Sequence, residues 1–442
     1  MRRIKRGWVF LGGTFLSVVT ILGLILESWK VVPPPLVVIS LGQPVGETAM
    51  VVDDGAHRAY VSSTVAGTDG KHGNHSWISV IDTLQRVPVR RIAMGRGIPV
   101  LALDPVHRRL IMSDTTGPDV GLIRLVNAAN GVVLRSASVP VAPGAIAIDG
   151  RVARIFVAGM GRCSAFRRAV ARACRSGFGV IDVLDARTLR PTGSIAVGPA
   201  PRHIVADDVD GRVFVSADNG VTMIDAARGR ALHTFPWAIG VMAVDARVRH
   251  VFMEDNTWSV RILDAHTGRV VGAVPGMYLN IRGPSAAAAV DERTGNLVMM
   301  DNGRLDGSAT ASTVRVIDGR SGRLLHTLTL GAPPEAVAVD SATGQAFVVQ
   351  VDDSNVRVLD MRSGRVTRTI PAVPEPVSLA LDRRLGRLLV ASVVAREGER
   401  LDPWGWVPAA LRPWLPFVPR PPATLSWRPS AGSVGVVDVA RS

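Results

Sequence analysis

Cysteine is nearly absent, with 2 in 442 residues, which excludes a disulfide-dense scaffold and a four-cysteine zinc site. Lysine is scarcer than its share of charge suggests. Only Lys5, Lys30 and Lys71 occur, so arginine supplies almost all of the 51 basic residues that face 37 acidic ones, for a formal charge of +14. Aromatic residues make up 5 % and charged residues 20 %, while apolar residues reach 47 %. That balance supports a substantial core and excludes wholesale disorder. Glycine (44) and proline (29) are the residues in good supply, as short elements joined by tight turns require.

Long apolar runs are missing except for one. Arg2, Arg3, Lys5 and Arg6 form a basic segment (1–6) ahead of an uncharged stretch, 7–26, closed by Glu27. Twenty helical residues span about 30 Å, the thickness of a bilayer hydrocarbon core. A cleaved signal peptide is the rival reading, but such signals have shorter apolar regions and a small-x-small cleavage site, whereas this run ends Leu24-Ile25-Leu26-Glu27-Ser28. The expectation is an uncleaved transmembrane signal anchor. Its basic flank stays cytoplasmic, which leaves the rest of the chain extracellular or periplasmic. Residues 27–35, with Pro33-Pro34-Pro35, read as a stiff spacer.

No convincing helix follows. Instead one pattern recurs eight times: an apolar strand ending in Asp, a turn, then a second apolar strand. Its copies centre on Asp53, Asp104, Asp149, Asp207, Asp245, Asp291, Asp340 and Asp382, at spacings of 38 to 58 residues. Between them lies a second motif, an alternating strand, Asp or Asn, and a turn often ending in Gly-Arg, as in Val356-Arg357-Val358-Leu359-Asp360-Met361-Arg362-Ser363-Gly364-Arg365. Asp accepts hydrogen bonds from turn backbone and Gly supplies the positive φ. Each period thus holds four strands, the signature of a propeller blade, and blades must pack on one another around an axis to bury both faces. The expected fold is an all-β propeller over 36–442 with eight blades. Seven is the alternative if the divergent copy between Asn127 and Asp149 is not a blade. The last motif, Ser433–Asp438, lacks a fourth strand, which Leu36–Gly42 is placed to supply and so close the ring.

The phrases Val358-Leu359-Asp360-x-x-x-Gly364-Arg365, Thr369-Ile370-Pro371 and Ser378-Leu379-Ala380-Leu381-Asp382 resemble YVTN-type β-propeller repeats. The resemblance covers everything after the spacer. It implies the propeller fold and an exported bacterial protein, commonly of seven blades, and it carries no catalytic residues with it.

Long connections between second and third strands interrupt the repeat at about Thr64–Trp77, 160–178, Asp301–Thr313 and 394–433. All are expected on one face, where loops on a rigid scaffold carry binding. The 160–178 insertion contains Cys163 and Cys174, an expected disulfide in an exported chain, together with Arg167, Arg168 and Arg172, which suit anionic groups. A solvated basic loop is the alternative. The 394–433 insertion carries Trp404, Trp406, Trp414 and Trp427, four of the nine tryptophans in about a tenth of the chain. Indoles favour partner and membrane interfaces, or the loop folds inward as a lid. His203, after Pro201-Arg202, stands at the start of an innermost strand and completes the expected binding face.

No nucleophile, base or metal constellation is legible. His72 and His75 lack acidic or thiol partners nearby. Asp207-Asp208-Val209-Asp210-Gly211 lacks the terminal glutamate of a calcium loop and reads as an inter-strand turn. Pyrroloquinoline-quinone dehydrogenases also use eight blades, and Asp264-Ala265-His266-Thr267-Gly268 is similar to their turns. Val271-Gly272 stands where those repeats have tryptophan, however, and the cysteines here are not adjacent. The expectation is therefore a membrane-anchored binding scaffold without cofactor or metal, whose partner is an envelope protein or an anionic envelope ligand and not nucleic acid. A quinoprotein-like oxidoreductase or a lactone hydrolase with its site at the axial channel is the alternative.

Overall fold

Strands that alternate around tight Asp turns assemble into eight antiparallel sheets of four strands each. This computed structural model describes residues 36–41, 49–65, 75–95, 100–104, 106–115, 121–139, 142–160, 179–274, 288–301, 312–350, 353–392 and 432–439. The basic segment, apolar run and spacer of 1–35 lie outside the described residues. Among the described residues no helix is long and apolar enough to cross a membrane. Blades 1 to 7 occupy 50–93, 101–139, 142–197, 203–235, 238–274, 288–329 and 334–371. Within each, strand order follows the sequence from the innermost strand outwards. The divergent stretch from Asn127 to Asp149 belongs to two regular blades, 101–139 and 142–197, so the number is eight.

Blade 8 comprises Pro376–Asp382, Arg387–Ser392 and Ser433–Asp438, with Leu36–Ser40 as its outermost strand. Leu36 pairs with Val437 and Ser40 with Ser433. The Leu41 amide donates to the Gly432 carbonyl at 2.8 Å. Each innermost strand touches that of the next blade, and Pro376–Asp382 touches Met50–Asp53.

The core lies between blades. Second strands are apolar on both faces because each face meets a neighbouring sheet. Phe252 packs against Leu297, Met299 and Ile317 of blade 6. Met253, one residue on, packs against Phe214, Val221 and Met223 of blade 4. An aromatic ring recurs at the same position as Tyr60, Phe156, Phe214, Phe252 and Phe347, all fully buried. Each such ring is worth about 2–3 kcal/mol of apolar burial. Fourth strands are the most exposed, as in Val87–Ala93 where only Ile92 is buried, and form the outer wall.

Turn chemistry explains the punctuation. Asp149 Oδ1 accepts from the amides of Arg151 and Val152, and Asp245 Oδ1 from those of Arg247 and Val248. Asp207 does the same with Val209 and Asp210, so Asp207–Gly211 is the ordinary turn its sequence suggested. Four residues later the backbone is left-handed in every blade. Gly211, Gly295, Gly344 and Gly386 fill that position in four blades, and His57, Arg108, Ala153 and Arg249 in the others.

Candidate binding face

The antiparallel order divides the connections between two ends of the ring. Turns from first to second and from third to fourth strands share one end and span only a few residues. Connections from second to third strands, and from blade to blade, share the other. The gaps from Val65 to His75, Met160 to Gly179, Asp301 to Thr313 and Ser392 to Ser433 all attach there. So does 275–287 between blades 5 and 6, which the sequence pattern did not single out. The first insertion is narrower than the expected Thr64–Trp77, because Thr64 and Ser76 continue the ladder and their hydroxyls bond at 3.1 Å.

Bulges shape the channel mouth at this insertion end. In blades 3, 5, 7 and 8 the register of the innermost strand slips by one residue near its start, leaving Gly144, Ile239, Glu335 and Val377 without a cross-strand partner. A bulge turns a side chain out of the sheet. Pro143, Pro334 and Pro376 precede three of these, at strand starts where a missing N–H is tolerated. Ile239 is 47 % exposed. Glu335 is half-buried, and burial raises its pKa. Blade 4 contributes Arg202, paired with Asp218 at 2.8 Å, and beside it His203. His203 is exposed in register with Ser216, and the protein around it together with the Arg202 charge lowers its pKa.

Behind the rim the second strands end in polar residues, unlike the apolar stretch before them. Three blades repeat an ion pair in one register: Asp114–Arg124 (3.0 Å), Asp255–Arg261 (2.7 Å) and Asp301–Arg315 (2.8 Å), with each arginine opposite Met112, Met253 or Met299. Blade 3 places Asp182 where these blades have arginine. Burial raises its pKa, and its Oδ2 has no hydrogen-bond partner in the protein.

Glu254 and Asp255 are the most strongly perturbed pair. Glu254 is 1 % exposed, neither carboxyl oxygen has a partner, and burial with the adjacent Asp255 charge pushes its pKa up to about 8. Burial also raises Asp255, but the hydroxyl of Thr257, the Arg261 guanidinium and the amides of Thr257 and Ser259 outweigh it and hold the pKa at about 2. Successive strand residues face opposite ways. Glu254 therefore shares the side of Phe252, towards blade 6, and Asp255 that of Met253, towards blade 4. The two carboxyls occupy different clefts and form no acid–base dyad.

Of the residues expected to bind, His203 lies at the rim. Cys163, Cys174, Arg167, Arg168, Arg172, Trp404, Trp406 and Trp414 lie outside the described residues, as does His72. The strands flanking their loops belong to blades 3 and 8 and attach both loops at the insertion end. Sequence reading missed Ile239, Glu254, Asp255 and Glu335. Two signals were present: prolines before the innermost strands, and Glu254-Asp255 breaking an apolar strand. No group of His, Cys, Asp or Glu among the described residues is arranged to hold a metal ion.

No protein-family profile matches the chain, and no curated protein matches it in sequence. Solved structures match its fold. A quinohemoprotein alcohol dehydrogenase from Comamonas testosteroni aligns with a TM-score of 0.58 at 12 % identity, over 91 % of this chain and 76 % of that one. A europium-containing methanol dehydrogenase aligns at 0.56 and 14 %, over 91 % and 93 %. The computationally designed Ika8 protein aligns at 0.54 and 16 %, over 80 % and 95 %. Identities this low make the likeness one of fold.

Proposed function

We propose that this protein is a binding scaffold of the cell envelope, held to a membrane by residues 7–26, with its propeller on the extracytoplasmic side. In this reading Leu36–Ser40 clasps blade 8 and joins the spacer to the ring. The partner, an envelope protein or an anionic envelope ligand, docks on the insertion end. One observation carries the proposal: every long connection attaches at that end, while the opposite end has only tight turns. Long surface loops cost little stability, so neutral drift would scatter them over both ends.

The test is to replace residues 161–178 and 393–432 separately with short turns. Each variant should melt as the parent does and lose retention on isolated envelope material. Changing Arg167, Arg168 and Arg172 together to Ser should weaken retention in a salt-sensitive manner. Undiminished retention by both loop-shortened proteins would refute the proposal. The dehydrogenases that share the fold define the competing outcome, a redox enzyme, which dye-linked alcohol oxidation by the purified protein would establish.

A further inference from the structure

Blade 5 displays a tryptophan in a conformation that tryptophan resists. The hairpin Asp255-Asn256-Thr257-Trp258-Ser259 sits at the insertion end, and Trp258 has φ of 58° with 41 % of its surface exposed. Left-handed backbone costs a bulky residue about 1–2 kcal/mol relative to glycine. Most other non-glycine residues in this conformation occupy the tight-turn end, where sister blades have glycine. Trp258 is the one such residue, among those described, in a second-to-third-strand connection.

The hairpin is rigid. Asp255 Oδ1 accepts from the Thr257 amide (2.9 Å), the Thr257 hydroxyl (2.6 Å) and the Ser259 amide (3.1 Å), while its Oδ2 holds Arg261 Nε at 2.7 Å. The Asn256 amide donates to the Trp237 carbonyl at 3.1 Å, tying the hairpin to the link from blade 4. Arg261 lies over the Trp237 ring, 5.1 Å from its centroid, and Phe235 packs on Trp237 at 5.7 Å. Ile239, two residues after Trp237 on its bulge, is exposed. Asn256 and Thr257 are exposed next to Trp258.

We infer that this sector of blades 4 and 5 is a saccharide-binding site with Trp258 as its stacking platform. It rests on the reading of the insertion end as a binding face and names the ligand class there. The composition of the patch selects the ligand. An indole face matches the apolar C–H face of a pyranose ring, and the amide, hydroxyl and guanidinium beside it match vicinal hydroxyls. In a chain of formal charge +14 the local charges cancel pairwise, Arg261 with Asp255 and Arg202 with Asp218. Among the described residues of this sector a neutral ligand therefore meets paired charges, whereas an anionic lipid surface or polyanion would find these two cations already engaged. Holding Trp258 in place beforehand removes an ordering cost on binding.

The experiment titrates the purified full-length protein with the tetrasaccharides of β-1,4-linked N-acetylglucosamine, β-1,4-linked glucose and α-1,4-linked glucose, read by tryptophan fluorescence and calorimetry. At least one should bind, Trp258→Gly should weaken it by about tenfold or more, and Trp258→Phe should retain part of the affinity. Because glycine accepts this backbone conformation, Trp258→Gly should melt at the same or a higher temperature than the parent, which a merely structural tryptophan would not do. The inference is overturned if none of the three sugars binds, if Trp258→Gly binds as the parent does, or if Trp258 instead governs binding to anionic phosphatidylglycerol vesicles. The loop-shortened proteins keep Trp258, so their loss of envelope retention and their retention of sugar binding report on the two ideas separately.

Discussion

Replacing Glu254 with glutamine should stabilise the protein, by an amount that grows with pH. The side chain is buried with no partner for either oxygen, and its pKa stands at about 8 against 4.5 for an ordinary glutamate. The folded protein thus keeps this proton over a range in which the unfolded chain releases it. For a raised carboxyl, stability is fully present below 4.5 and is lost as pH rises towards 8. Each pH step in that window costs about 1.4 kcal/mol, so by pH 7 the parent has lost about 3 kcal/mol of what it holds at pH 4.5. Glutamine has the same shape and no proton to release. The variant should match the parent near pH 4.5 and exceed it by about 3 kcal/mol at pH 7, or several degrees in Tm at about 2 °C per kcal/mol for a domain this large. Paired thermal melts at pH 4.5, 6, 7 and 8 give the difference curve, in which contributions from every other titrating group cancel. A curve that is flat with pH, or that falls towards alkali, would show that Glu254 is ionised in the folded protein and would sink the argument.

Asp255 moves in the opposite direction. Its folded pKa of about 2 means that its stabilisation is present above 3.8 and lost as pH falls through 2, so Asp255→Asn should cost about 2–3 kcal/mol at pH 7 and flatten the acid limb of the melting profile. Gly220, in the Asn219-Gly220 hairpin of blade 4, has φ of 123°, and a Cβ there would lie 2.2 Å from the Phe235 carbonyl oxygen. Gly220→Ala should therefore cost more than about 2 kcal/mol in denaturant titration; a loss under half that would mean the turn can rearrange. Leu41, 1 % exposed between blades 8 and 1, tests the clasp: Leu41→Ala should cost about 3 kcal/mol, and a neutral result would show that the first strand does not hold the ring.

Only part of the candidate site could be read from the chain. His203 was legible because Pro201-Arg202 marks the start of an innermost strand. Glu254 was visible as an acid in an apolar strand, but its burial depends on how blade 6 covers it, and Ile239 stands exposed only because the register slips at Gly240. Trp258 looked like one residue of a short hairpin, since its left-handed backbone is fixed by Asp255 and Ser259 across the turn.

The sequence by itself determined what is local and periodic. Alternating apolar residues set the strands, Asp and Gly set the turns between them, and the spacing of the copies set four strands to a blade, because each follows from residues a few positions apart. Their repetition narrowed the number of blades to eight or seven, and the eight sheets of the structure decided between them. The tertiary structure decided what depends on neighbours distant in the chain. It slipped the register of four innermost strands near their starts and so turned Ile239 out of its sheet. It also sent the adjacent carboxyls Glu254 and Asp255 into separate clefts, one protonated and the other ion-paired, because a strand's two faces meet different blades and each blade presents its own dielectric and partners.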